Sequence, residues 1–154
     1  MDPNPQMTST SVIPPGVSSE SDRHWAASAH ALALVLALLT SWVAGIAGVL
    51  GALAIWMIKR DDSPFAAEHA KEAVNFNLSM FLYACAAAVL AFVLVGATVL
   101  TLGLGIILTG PAGILLMLAI AAIAVMWLVC SVIAIFKAYN GETYRYPLTI
   151  RLLK

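Results

Sequence analysis

Residues 73–136 read AVNFNLSMFLYACAAAVLAFVLVGATVLTLGLGIILTGPAGILLMLAIAAIAVMWLVCSVIAIF and contain no Asp, Glu, Lys or Arg. A helix needs about 20 apolar residues to cross the roughly 30 Å hydrocarbon core of a bilayer. The stretch is therefore long enough for two crossings and a turn. Residues 101–113 hold Gly103, Gly105, Gly110, Pro111 and Gly113 and read as that turn. Pro111 reads as the first residue of the last helix, where its missing N–H costs nothing. Asn140-Gly141 should end that helix with a left-handed cap. On the other flank, Lys59-Arg60-Asp61-Asp62 forms a polar loop. Ser63 then reads as an N-cap and Pro64 as the first helical residue.

A second uncharged run lies between Arg23 and Lys59. As one straight helix at 1.5 Å per residue it spans about 52 Å, more than a bilayer needs unless it tilts. As a hairpin each arm is short for a crossing. Trp25, Trp42 and Trp56 mark its start, middle and end. Trp prefers the membrane–water interface, so a hairpin turning near residues 41–45 suits all three. Trp127 falls in the middle of a helix under either reading. Ser41, Ala44, Gly45, Gly48 and Ala52 repeat at four-residue spacing, which lets membrane helices approach closely.

The whole composition agrees. Of 154 residues, 62% are hydrophobic and only 10% charged, against about 25% charged in soluble domains. So few charges cannot cover a soluble fold. The fold class is an all-α integral membrane protein with four hydrophobic helices, the first two a short hairpin. The alternative is three spans with one long tilted first helix. Eight basic residues balance eight acidic ones, so no basic field suits nucleic acid. Residues 1–22 are rich in Pro, Ser and Thr and should be disordered. Lacking a positive n-region, they do not read as a signal peptide. Residues 23–141 form the membrane domain. Residues 142–154 form an interfacial basic-aromatic tail, whose period-2 alternation also suits a short strand, though no partner strand is in view. Cytoplasmic flanks collect Lys and Arg. In the four-crossing reading all eight basic residues lie cytoplasmic; in the three-crossing one only Arg23 moves outside. Loop 59–72 and the C-terminus are cytoplasmic in both.

The polar residues that could carry function cluster in SPFAAEHAKEAVNFNLSMF, residues 63–81. On a helix, Glu68, Glu72, Asn75 and Ser79 fall on one stripe, bordered by Lys71. The stripe reads as a solvated helix end continuing into interhelical polar contacts, or as a binding surface or the mouth of a solute path. His30 lies inside the first membrane segment and reads as a hydrogen-bonded structural residue or a functional intramembrane group. His69 and Glu72, at i and i+3, could begin a metal site only with further ligands such as His24 or His30. Asn77 points away from the stripe toward another helix. Cys85 and Cys130 read as small packing residues. No nucleophile–base set, metal cluster or phosphate loop emerges, so neither enzyme activity nor a cofactor is expected.

Three pieces of this chain carry a resemblance: HWAASAH (24–30), AIWMIKRDDSPFAAEHAKEAVNFNLSMFLY (54–83) and AYNGETYRYPLTIRLLK (138–154). Together they resemble the small bacterial membrane domain of unknown function related to the chloroplast import component Tic-twenty. The resemblance covers about residues 23–154. It implies a multi-helix membrane protein and no set activity; the plastid relative belongs to a protein translocon. The expected function is a non-enzymatic multi-pass component of the bacterial inner membrane, packing with the bilayer and with membrane partners or copies of itself. The alternative is a small oligomeric transporter, channel or lipid-binding protein.

Overall fold

The computed structural model describes residues 18–40 and 44–153. Four helices account for most of them: α1 Glu20–Leu39, α2 Ala44–Lys59, α3 Pro64–Leu100 and α4 Ile106–Tyr139. No strand forms among the described residues. The first uncharged run is thus two helices rather than one long one. The turn expected at residues 41–45 falls largely on residues 41–43, which lie outside the described residues. The disorder expected for residues 1–22 likewise falls mostly outside them, on residues 1–17, while α1 already begins at Glu20.

Local chemistry sets the helix ends. Ser19 and Asp22 form a capping box, the Ser19 Oγ accepting from the Asp22 N–H and the Asp22 carboxylate from the Ser19 N–H. Ser63 caps α3, its hydroxyl accepting from the Ala66 N–H at 3.2 Å, with Pro64 behind it as the sequence predicts. At the end of α4, Gly141 sits at φ +78°, and the Glu142 and Gly141 N–H groups donate to the carbonyls of Lys137 and Ala138. This is the left-handed cap expected of Asn140-Gly141. α3 ends in the same way on Leu102 at φ +52°, with the Gly103 N–H donating to Thr98. The turn is shorter than expected: α4 starts at Ile106, so Pro111 lies inside it. Thr109 accounts for the early start, since its hydroxyl bonds the Gly105 carbonyl and meets the Thr98 hydroxyl at 2.6 Å.

The pairing of residues fixes the topology. Ala26 packs by Ala66, His30 by His69 and Ala33 by Ala73, so α1 runs parallel to α3 with an offset near forty. Gly48 faces Asn77, Ala52 faces Ala73 and Ile55 faces Ala70, so α2 runs antiparallel to α3. Thr98 meets Thr109, Asn77 meets Trp127 and Ala66 packs with Ala138, so α4 is antiparallel as well. The result is an up-down-up-down bundle. Its core is built on alanine: Ala26, Ala29, Ala33, Ala37, Ala52, Ala66, Ala70, Ala73, Ala134 and Ala138 are all buried. Such small residues let helix backbones close on one another. Gly48 marks one close approach, where an added Cβ would sit 2.6 Å from the Asn77 Oδ1 and 3.0 Å from the Ala33 carbonyl.

The bundle has two tiers. By the offset above, the last residues of α1 lie level with about residue 80 of α3. Below that level four helices and the C-terminal tail pack together. Above it α3 and α4 continue as a lone pair, and no residue from 80 to 129 is buried. The pair is apolar throughout, and each helix is long and apolar enough to cross a membrane.

Candidate functional site

The polar stripe of α3 faces the four-helix tier, and the structure shows what occupies it. Residues 142–153 leave the end of α4 as extended chain, rise to Leu148 at φ +54°, and return along α3. On the way back the Tyr83 hydroxyl donates to the Leu148 carbonyl at 2.7 Å. The Ile150 N–H donates to the Ser79 hydroxyl at 2.8 Å. Asn75 takes the next rung with its whole amide: Oδ1 accepts from the Leu152 and Leu153 N–H groups, and Nδ2 donates to the Leu153 carbonyl. Arg151 Nε reaches the Glu72 carboxylate at 3.1 Å. The geometry explains the fit. Positions 75, 79 and 83 recur every four residues of helix, about 6 Å, while alternate residues of extended chain recur every 6.6 Å or so. A helix ridge of side chains thereby serves as the partner for one edge of the tail, and the tail's backbone groups find their bonds there.

Beside this clamp lies a buried ring network joining three parts of the chain. His30 Nε2 and His69 Nδ1 are 2.9 Å apart, and the Tyr146 hydroxyl meets His30 Nδ1 at 3.0 Å. Each contact needs one donor and one acceptor, so the proton order runs in one direction along the chain of three. In either direction His69 Nε2 is left without a hydrogen-bond partner. Tyr146 also stacks on Phe76, with ring centroids 3.8 Å apart. Phe76 is fully buried. The network thus fastens the tail to α1 and α3 at the heart of the lower tier.

The residues singled out from sequence divide accordingly. Glu72, Asn75 and Ser79 come together on the tail. Glu68 does not join them: it pairs with Lys71 at the surface, its side chain 68% exposed. His30 bonds His69 and Tyr146. Asn77 donates to the Ala73 carbonyl of its own helix, lies against Gly48 of α2 and accepts from the Trp127 indole N–H of α4 at 3.4 Å. That bond gives the mid-helix Trp127 a polar partner. Gly48 and Ala52 take part in close helix contact, while the side chains of Ser41, Ala44 and Gly45 lie outside those described. Among the described residues no group of three or more His, Cys, Asp or Glu converges as a metal site. His24 sits apart, stacked on Tyr139. Sequence reading missed Tyr146; its place in a Tyr-Arg-Tyr-Pro run after a helix cap marked an interface, but nothing in the spacing connects it to His30. It also missed that the tail fills the stripe. The signal available was numerical: hydrogen-bonding side chains one helical turn apart beside a tail of alternating character.

Compared with known proteins, residues 21–153 match the model of a family described as the magnetosome magnetite crystal formation protein family (MamF/MmsF). The resemblance to the Tic-twenty-related domain is corrected by this match. The residues that carried the resemblance have structural roles in the fold: an N-cap, a stripe that holds the tail, and a C-cap. No curated protein and no solved structure matches the chain.

Proposed function

The chain belongs to the magnetosome magnetite crystal formation protein family, and we propose that it serves crystal formation as a non-enzymatic, integral component of the magnetosome membrane. The observation that carries the membrane assignment is the upper tier. From residue 80 to 129 nothing is buried and nothing is charged. An apolar surface of that extent is unsustainable in water. The uncharged part of α3, residues 73–100, is about 42 Å long, more than enough to cross the roughly 30 Å hydrocarbon core. In this reading α3 and α4 cross the bilayer and the charged tier lies on the cytoplasmic side, where the basic residues collect.

This orientation limits how the chain can act on a crystal. Its far-side segment is the short turn Thr101-Leu102-Gly103-Leu104-Gly105, which holds no carboxylate. Its effect on magnetite therefore runs through the membrane and membrane partners, not through ligation of mineral by this turn. The solute-path alternative loses its main support, because the stripe from Glu72 to Ser79 is filled by the tail. The test is genetic. Removing the chain from a magnetite-forming bacterium should change the size or number of crystals in electron micrographs, and the full chain should restore them. The protein should remain with membranes after alkaline carbonate washing. Unchanged crystals overturn the role, and release by carbonate overturns the membrane assignment.

A further inference from the structure

We propose that the α1–α2 hairpin enters only the cytoplasmic leaflet, so that the protein is a wedge fitted to a bilayer strongly curved with its convex face toward the charged tier. The proposal rests on the reading that α3 and α4 span the membrane. The heights follow from helix geometry. Leu32 of α1 lies level with Glu72, the last charge before the uncharged stretch, by the offset that pairs Ala33 with Ala73. From there to the end of α1 is about 12 Å, less than the roughly 15 Å of one leaflet's hydrocarbon. α3 rises about 42 Å from the same level. The hairpin therefore stops some 30 Å below the α3–α4 turn and cannot reach the far surface.

The surface of the hairpin fits lipid at that depth. Val35, Leu38, Leu39, Ile46 and Leu50, all in its upper half, are 43–76% exposed. At its lower end the ammonium of Lys59 lies over the Trp25 ring at 4.7 Å and the guanidinium of Arg60 near the Trp56 ring, as at a headgroup boundary. Cross-section then differs between leaflets. The cytoplasmic leaflet accommodates four helices and part of the tail, the other leaflet two helices, each about 10 Å across. A body wider on one side sits with least strain where lipid headgroups on that side are spread apart, which is the outer surface of a small vesicle. Shallow insertion of this kind is curvature-sensitive.

The test uses the purified full chain in vesicles of phosphatidylcholine and phosphatidylglycerol. Retention after carbonate washing is the first measurement; loss there defeats the spanning reading itself. With retention established, protein density is compared on small and large vesicles. An enrichment of about twofold or more on the small ones is expected, and equal density overturns the wedge. Depth is read separately with a membrane-impermeant maleimide on sealed and opened vesicles, in a chain carrying Cys85→Ala and Cys130→Ala. Thr40→Cys should react from the side of Asp61→Cys, or from neither side. Gly103→Cys should react from the opposite side. Reaction of Thr40→Cys from the Gly103 side overturns the half-height hairpin. Crosslinking between copies through the hairpin, without dependence on vesicle size, would mean that a second copy rather than lipid covers it, and also overturns the proposal. The sorting measurement uses the unsubstituted chain, so misfolding of a variant cannot imitate its result.

Discussion

At the scale of single residues, Asn75 does most to join the tail to the bundle. Its side chain is 1% exposed and makes three hydrogen bonds to residues 152 and 153. Replacing it with alanine strips those bonds and leaves part-buried backbone groups unmatched. At about 1 kcal/mol per bond the loss should be about 2–3 kcal/mol. The expected outcome of Asn75→Ala is a tail cleaved quickly by protease in detergent, with α3 and α4 still helical by circular dichroism. A tail as resistant as in the unsubstituted chain would contradict the clamp. Asn75 and Ser79 were legible in sequence as polar groups that needed partners, because a lone amide in an apolar helix is costly. Their partner was not legible. Backbone N–H groups are present at every residue, so sequence cannot say which stretch will supply them.

At the scale of elements, α3 and the caps read well because each boundary rests on local chemistry. Ser63-Pro64 and Asn140-Gly141 act where they stand in the chain. α1 begins three residues before the boundary read at residue 23, since its capping box uses Ser19 and Asp22 in a stretch whose composition suggested disorder. α4 was read as starting at Pro111, because the Thr109–Thr98 contact that supports its first turns joins two helices. The α1 capping box also makes a testable link. The Asp22 carboxyl is held below its ordinary range first by the Ser63 hydroxyl and then by Ser19. This connects the start of α1 to the start of α3. A carboxyl whose value is lowered on folding stabilises the fold fully above its unfolded value, near 3.8. That contribution is lost as pH falls through the lower folded value. Acid titration of detergent-solubilised protein should therefore weaken the α1–α3 junction below about pH 4. Asp22→Asn should already be weakened at neutral pH and should show a smaller further loss in acid. An identical acid profile for both proteins would exclude Asp22 as the linking group.

At the scale of the whole molecule, the two tiers are held by different physics. The lower tier depends on tertiary contact: alanine-lined helix crossings, the ring network of His30, His69 and Tyr146, and the tail on α3. In the proposed membrane placement the upper tier depends on lipid, since its helices bury no side chain from residue 80 to 129 and their backbone bonds are satisfied within each helix. The helical class followed from charge-free length alone, but the tiers did not, because composition reports that a segment is apolar and not how far its neighbour extends. The difference has a measurable consequence. Sodium dodecyl sulfate competes with contacts between helices far more than with helix formation in an apolar medium. Titrated into detergent-solubilised protein, it should first release the tail and separate α1 and α2 from α3. Trp25 and Trp56 fluorescence should shift in that first phase. The α3–α4 pair should remain helical to higher detergent fraction, because its stability never relied on the contacts being lost. A single transition, with fluorescence and helicity changing together, would show that the tiers stand or fall as one unit.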